Sequence, residues 1–533
     1  MNGPLDKPAL SKVEGLRANG AKDLFRSNDT TALGWAWQLT RGDPLISMSA
    51  LCAPEWAGPQ STCVPGRREG RVAVLRSVNP TTGETIREYL EMSPQAVEMA
   101  VEQLHRAFPR WKAMGFPGRA EVMKKAAQML RSRSAEYAKL MAEEMGKPVR
   151  GGRAEAEKCA WACDYYADNA ERLLQPEMVE TGSGKGFVTF QPLGVLLAVM
   201  PWNFPFWQVF RFAAPALMAG NVVVLKHASN VPGCALAIEE VFGQAASPLE
   251  VLRTLLVGSN RVDDIIENPL VKAVTLTGST EAGREVARKA GEMLKKTVLE
   301  LGGSDPYLIL EDADLEAAAA VCVDSRLTNS GQSCIAAKRF IVVPSCRERF
   351  EALVVELMRA ARVGDPMQDD TAVGPLARHD LRDNLHRQVV ESVGRGAKCL
   401  LGGKIPEGKG AFYPPTVLAD VRRVMPAYEE ELFGPVAAII PVQDEEEGIR
   451  VANDSCFGLG AAVFTGDLDR GERIATTEIE AGSCFVNASV KSDPRLPFGG
   501  TKSSGYGREL SHYGLKEFVN VKTVVVRSPT VAR

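Results

Sequence analysis

Three short stretches carry residue types that can do covalent chemistry. Asn329-Ser330-Gly331-Gln332-Ser333-Cys334-Ile335-Ala336-Ala337-Lys338-Arg339 sets one thiol in a polar, glycine-containing loop, directly ahead of the apolar run Phe340 to Val343. Most free cysteines are small buried core residues. A thiol carried on a turn, however, can be reached by a substrate and suits a nucleophile. Val298-Leu299-Glu300-Leu301-Gly302-Gly303 holds a carboxylate between leucines and two glycines, 34 residues ahead of Cys334. Pro201-Trp202-Asn203-Phe204-Pro205 offers a side-chain amide between two prolines, after the apolar run Leu196 to Met200.

In their order and in the Glu-to-Cys spacing, these stretches resemble the aldehyde dehydrogenase superfamily, and the resemblance runs from about Val78 to about Val526. It implies a mechanism. The thiolate of Cys334 adds to the aldehyde carbon. Asn203 and the backbone N–H of Cys334 donate to the oxyanion that forms. Hydride leaves for a nicotinamide, and Glu300 acts as general base while water hydrolyses the remaining thioester. Leu299 and Leu301 suit a partly desolvated carboxylate of raised pKa. Because Glu300 is present, water rather than coenzyme A is the expected acyl acceptor.

The same resemblance implies a cofactor site. Thr277-Gly278-Ser279-Thr280-Glu281-Ala282-Gly283 follows a strand and opens a predicted helix, where glycine and free N–H groups can receive a phosphate. Gly278, Ser279 and Trp202 match positions at the pyrophosphate, and Lys226 matches a lysine at the adenosine ribose. Three residues on, where NAD-preferring relatives carry glutamate, stands Ser229. A serine can donate to a 2′-phosphate that a glutamate would repel, so NADP is expected, with NAD usable. In Glu431-Leu432-Phe433-Gly434-Pro435, Glu431 is expected at the nicotinamide ribose and Phe433 near the ring.

For the substrate, Leu225 to Asn230, Gly303 to Pro306 and Ser333 to Phe340 resemble a bacterial branch of the succinate-semialdehyde dehydrogenases. A second carboxylate calls for a cation in the pocket. Arg211 falls where many members carry a carboxylate-binding arginine, whereas Thr328 stands where the best known members carry another. Ser492 falls near a carboxylate-binding serine, and Arg495 is the expected replacement cation. Three rival readings stand beside this one. The first is a broad aliphatic or aromatic aldehyde dehydrogenase, suggested by Thr328, Phe206 and Trp207. The others are a Cys–Glu–Asn amidase or thioesterase, and a non-catalytic protein on the same fold.

The elements that must position these residues alternate. Gly194 to Met200, Trp207 to Met218 and Asn221 to Leu225 read as strand, helix, strand, and Val271 to Thr277 as a further buried strand. That pattern predicts an α/β protein with parallel sheets. It has a Rossmann-like cofactor domain, an α/β catalytic domain and a small β oligomerisation arm. Residues 94–145 and 153–174 read as amphipathic helices. Asp314 to Ala320 and Glu348 to Ala361 read as helices of a second α/β unit, with strands Phe340 to Val343 and Ala437 to Pro441. The expected divisions are a disordered extension over 1–71, the cofactor domain over 72–302 with an arm segment at about 181–192, the catalytic domain over 303–503, and a C-terminal segment over 504–533. In that last segment the strand Val519 to Val526 resembles an arm pairing with a neighbour, so a homodimer or homotetramer is expected.

Composition bounds the rest. A chain of 533 residues with 45% apolar and 24% charged content is that of a globular protein with room for two or three domains. A net charge of −3 gives no case for nucleic acid or an anionic membrane. No apolar run is long enough to span a bilayer. The eleven scattered cysteines suit reduced thiols in the cytoplasm, and the five histidines show no metal-ligand spacing with cysteine, so no metal is expected.

Overall fold

The structure is a computed structural model that describes residues 73–182 and 184–528. The expectation of disorder for residues 1–71 lies outside the described residues. As the sequence alternation predicts, two mostly parallel sheets dominate.

In the first sheet the spatial order is Gly505–Tyr506, Lys296–Glu300, Val271–Thr277, Val195–Met200, Val222–His227 and Leu252–Thr254. All neighbours are parallel except the Gly505–Tyr506 edge. Val222–His227 is buried along its whole length, as a strand covered on both faces must be. The chain first builds outward from Val195–Met200 through Val222–His227, then crosses back to place Val271–Thr277 on the other side. The reversal creates a switch point, and ligands of open α/β sheets bind beyond the carboxyl ends of the strands there. Asn203, Lys226, Gly278 and Glu300 all lie at those carboxyl ends.

The second sheet runs Lys398–Leu401, Thr416–Ala419, Val436–Pro441, Arg339–Val342, Pro306–Ile309, Gly460–Phe464 and Ser483–Val486. Arg339–Val342 pairs in parallel with Val436–Pro441. The Cys334 loop precedes the first of these and the Glu431-to-Phe433 segment precedes the second, so the pairing brings the two segments together.

Helices Gly115–Ser132 and Ser134–Met145 pack on the helix Val149–Leu173, and their apolar faces join the core under the first sheet. A third sheet pairs Val519–Val526 with Lys185–Pro192, and Glu177–Glu180 with its other side. Some elements run longer than the sequence predicts. The helix expected over Asp314 to Ala320 is capped by Asp314 and continues as Leu315–Leu327, because Cys322, Val323 and Leu327 extend its buried face. The strand expected to end at Leu225 reaches His227.

Candidate active site

Beyond the helix Leu315–Leu327 the chain turns back through three consecutive left-handed residues, Asn329 (φ 54°), Ser330 (φ 57°) and Gly331 (φ 78°). Non-glycine residues rarely adopt this conformation and keep it only where the surroundings over-determine it. Here they do. Ser330 Oγ accepts from Gly374 N at 2.9 Å, Gln332 Oε1 accepts from Ala377 N at 2.9 Å, and Arg326 Nη2 donates to Gly331 O at 2.6 Å. A Cβ at Gly331 would stand 2.2 Å from the Gly434 backbone, so the loop presses directly on the chain that follows Glu431 and Phe433.

Asn203 is buried beside this loop. Its Nδ2 donates to Gln332 O at 3.2 Å, while Asn329 Nδ2 donates to Asn203 O at 2.7 Å and to Gln332 O at 3.1 Å. One amide hydrogen of Asn203 is thereby used and the second is free for an oxyanion. The loop carrying Asn203 is held from two sides. His227 Nε2 meets Pro205 O at 2.9 Å, and its Nδ1 accepts from Ala228 N, so the proton is assigned to Nε2. Burial pushes this imidazole down to about 4 and keeps it neutral. Glu155 Oε1 accepts from Phe206 N and Trp207 N, both at 2.9 Å, and Glu155 pairs with Lys147.

Glu300 is 1% exposed, and neither carboxylate oxygen has a hydrogen-bond partner among the described residues. Arg211 Nη2 lies 3.9 Å from Glu300 Oε2, and Arg211 Nε contacts Glu509 Oε2. Burial pushes the Glu300 carboxyl up to about 8; Glu509 adds to the rise, and Arg211 and Arg508 oppose it. Burial likewise pushes the Cys334 thiol up to about 12, against the pull of Arg211 and Lys338. Cys334 therefore rests as a thiol, one that could act as a nucleophile only after giving its proton to a base, and Glu300 is a carboxyl whose charge it feels.

Lys338 and Arg339, which follow the thiol in the same stretch, are both buried. Lys338 Nζ donates to Ser333 O at 2.9 Å and Cys334 O at 2.7 Å, and lies 3.3 Å from Glu431 Oε1. Arg339 donates to Ser304 O, Val451 O and Ala452 O. The carbonyls of the turn and the Glu431 carboxylate make burial of these charges tolerable. The glycines after Glu300 allow the close packing: a Cβ on Gly302 would meet Glu431 Oε2 at 2.6 Å, and one on Gly303 would meet Cys334 O at 2.7 Å.

The expected cofactor residues line up along the carboxyl edge of the first sheet. Trp202 and Phe433 meet edge to face at 5.7 Å. Ser279 caps the helix Thr280–Glu292, its Oγ accepting from Ala282 N at 3.2 Å, with Gly278 just before it. Lys226 is 5% exposed and makes no ion pair among the described residues. Burial lowers its pKa. Ser229 is half-buried three residues on. A buried ammonium awaiting a partner, a capped helix N-terminus and two facing rings fit a dinucleotide.

The expected substrate residues divide. A cavity of about 670 Å³ is lined by Cys334, Thr328, Arg211, Ser492, Phe498 and Lys158, among others. Asn203 and Glu300 are outside its wall. Arg211 reaches the wall, but its charge is engaged by Glu509 and Glu300, and its guanidinium lies over the Phe498 ring at 4.6 Å. Ser492 is buried and accepts from Lys158 Nζ at 2.8 Å. Arg495 corrects the sequence expectation: its side chain is 66% exposed, held by Asp493 at 2.6 Å, and absent from the wall. Trp207 lines the cavity, whereas Phe206 is wholly buried core. Sequence reasoning missed Lys158, which sits in no motif, and Glu509, which ends the glycine-rich loop after Phe498.

Among the described residues no helix is long and apolar enough to cross a membrane, and no group of His, Cys, Asp and Glu side chains is placed to hold a metal. Comparison with known proteins extends the picture. Residues 68–524 match the model of the aldehyde dehydrogenase family. A probable succinate-semialdehyde dehydrogenase [NADP(+)] of Synechocystis sp. is 48% identical over 450 residues, 84% of this chain and 99% of that protein. Succinate-semialdehyde dehydrogenase [NADP(+)] 1 of Mycobacterium tuberculosis is 46% identical over 453 residues, with 84% and 99% covered. Among solved structures, succinic semialdehyde dehydrogenase from Streptococcus pyogenes in complex with NADP+ superposes with a TM-score of 0.83 at 37% identity, over 85% of this chain and 100% of that one. Lactaldehyde dehydrogenase from Escherichia coli does so with a TM-score of 0.83 at 33% identity, over 86% and 97%. With a thiol, a buried carboxylate and an amide gathered at the switch point, and a family match that spans most of its length, the chain belongs to the aldehyde dehydrogenase family.

Proposed function

We propose that this chain oxidises succinate semialdehyde to succinate with NADP as electron acceptor. The observation that carries the reading is the charge of the cavity wall. Lys158, Arg150 and Lys491 line it, and none of the three makes an ion pair among the described residues. Of the acids in the wall, Glu155 is paired with Lys147, which leaves Asp324. A wall of net positive charge concentrates an anionic aldehyde and gives a neutral one no advantage. The names of the Synechocystis and Mycobacterium tuberculosis relatives, and of the Streptococcus pyogenes structure, support the same substrate and cofactor.

In this reading Glu300 takes the proton of Cys334, and sulfur bonds to the aldehyde carbon as the carbonyl electrons move to oxygen. The free hydrogen of Asn203 Nδ2 and the Cys334 N–H hold that oxygen. When the oxyanion collapses, the aldehyde hydrogen departs with its electron pair. A bound nicotinamide supplies the acceptor for that hydride. Glu300 passes that proton on to solvent and then removes a proton from water as the water oxygen attacks the thioester carbon; the carbon–sulfur bond breaks, the sulfur takes the proton from Glu300, and succinate and the thiol are released. The nine cysteines among the described residues are all unpaired, which supports a reducing, cytoplasmic setting. The edge strand Val519–Val526 exposes Val521, Val525 and Val526, which supports assembly as a homodimer or homotetramer.

A second reading, a generalist aldehyde dehydrogenase, is favoured by exposed Thr328 in the wall, where an arginine would otherwise add charge. Steady-state oxidation of succinate semialdehyde, glutarate semialdehyde, propionaldehyde and benzaldehyde with NADP and NAD separates the two. A kcat/KM that favours succinate semialdehyde supports the first reading; similar values for all four support the second. Loss of all activity in Cys334→Ala is expected under either.

A further inference from the structure

We propose that Lys158, with Ser492 beside it, anchors the distal carboxylate of the substrate; the assignment rests on the anionic-aldehyde reading above. Lys158 is carried by the helix Val149–Leu173 and is mostly buried in the wall of the cavity that holds Cys334. Its ammonium donates to Ser492 Oγ at 2.8 Å and stands 4.3 Å from the centre of the Trp207 ring. Both partners are neutral. An ammonium has three donors, and the serine satisfies one.

The charged groups around Lys158 are all engaged elsewhere. Glu155 is bound to Lys147 and to the backbone N–H groups of Phe206 and Trp207. Asp493 is bound by Arg495. Arg211, the other cation in reach, is held by Glu509 and Glu300 and adds only repulsion. Burial and that repulsion push Lys158 down to about 8, the signature of a cation without its counter-charge. Buried charges are stable when paired, and a substrate carboxylate would supply the missing pair. Ser492 accepts from Lys158 and keeps its own hydroxyl hydrogen to donate to the same carboxylate. A neutral aldehyde would leave both groups as they are. Arg150 and Lys491 in the same wall are exposed, so Lys158 is the partly buried cavity cation that Arg495 and the position of Thr328 do not provide.

The test compares Lys158→Met, Lys158→Gln and Lys158→Arg with the wild type. A charge-assisted hydrogen bond converts to a loss of roughly 10- to 100-fold. The KM for succinate semialdehyde is expected to rise by about that factor in the Met and Gln variants, while the KM for butanal stays within about two-fold. Lys158→Arg is expected to recover most of the loss, and Ser492→Ala to show a smaller one. The competitive inhibition constant of succinate, which needs no turnover, is expected to rise in parallel. If the wild type prefers succinate semialdehyde to butanal and Lys158→Gln, folded by circular dichroism, keeps both that preference and the succinate inhibition, the assignment to Lys158 is wrong while the functional reading stands. If the wild type shows no such preference, the functional reading fails and the assignment fails with it.

Discussion

Arg211 Nη2 lies 3.9 Å from Glu300 Oε2 while its Nε contacts Glu509, so one buried cation serves two buried carboxylates. Burial raises the pKa of both acids, but only Glu509 has the direct contact with Arg211 to offset it. The geometry therefore favours ionisation at Glu509 and leaves Glu300 holding its proton up to about 8. The two acids titrate as a pair.

The pH dependence follows in sign. In the proposed mechanism Glu300 acts as a base only when deprotonated, and its pKa is raised, so kcat is expected to climb as pH rises through about 8. Glu509→Gln removes a negative neighbour and frees Arg211 for Glu300. Both changes favour the Glu300 carboxylate, so the rising limb is expected to move to lower pH. Profiles of kcat for the two proteins over roughly pH 6 to 9.5 decide the matter; a limb that stays in place would show that Glu509 has no hold on the base.

Arg211 is expected to matter for stability more than for substrate choice. Arg211→Leu leaves the buried Glu509 carboxylate without its cation, which costs about 3–5 kcal/mol. A clear drop in the urea midpoint is expected, and the double variant Arg211→Leu with Glu509→Leu is expected to recover much of it. A single variant of wild-type stability with a KM raised for succinate semialdehyde alone would instead restore Arg211 to the role its sequence position suggested.

What the sequence made legible was local. Cys334, Glu300 and Asn203 each sit in a stretch whose own neighbours, a polar turn, flanking leucines and glycines, or paired prolines, announce an unusual environment. The buried strands were legible because Val222–His227 and Val271–Thr277 are apolar runs bounded by turns. The misses were long-range. Lys158 and Ser492 bond across a separation of 334 residues. Nothing near Lys158 hints that its helix will face the cavity. The burial of Lys338 is illegible for a different reason. A lysine is rarely buried without a partner, and its partners are two carbonyls of its own loop and a glutamate 93 positions further on. Such partners exist only once the two strands have paired.

The contact between the nucleophile loop and the Glu431 segment gives a structural expectation. Gly331 has φ 78°, and a Cβ there would meet the Gly434 backbone at 2.2 Å. Gly331→Ala must displace one segment or the other. It is expected to reduce kcat by at least about a hundred-fold, because misplacement of a nucleophile by about 1 Å costs that much, and to weaken NADP binding as well. Gly394→Ala, whose Cβ meets nothing within 4 Å, is the control and is expected to be silent. Full NADP affinity in a catalytically dead Gly331→Ala would mean that the loop moves alone.

The discrimination between NADP and NAD is expected to reside at the end of the strand Val222–His227. That strand leaves Lys226 buried and without an ion pair among the described residues, and Ser229 follows half-buried. A 2′-phosphate is the kind of anion that would satisfy this lysine and accept from this serine. Ser229→Glu introduces a negative charge at the same place. It is expected to weaken NADP binding by roughly 10- to 100-fold through repulsion and the lost charge-assisted bond, with NAD binding unchanged or modestly tightened, since a glutamate can accept from both ribose hydroxyls. Lys226→Met tests the other half, and its loss should fall harder on NADP than on NAD. Equilibrium titrations of reduced-nucleotide fluorescence with both cofactors measure these effects without turnover. A Ser229→Glu variant whose NADP-to-NAD affinity ratio equals that of the wild type would move the discrimination away from this turn, and the unpaired Lys226 would then have to be explained by a ribose contact common to both nucleotides.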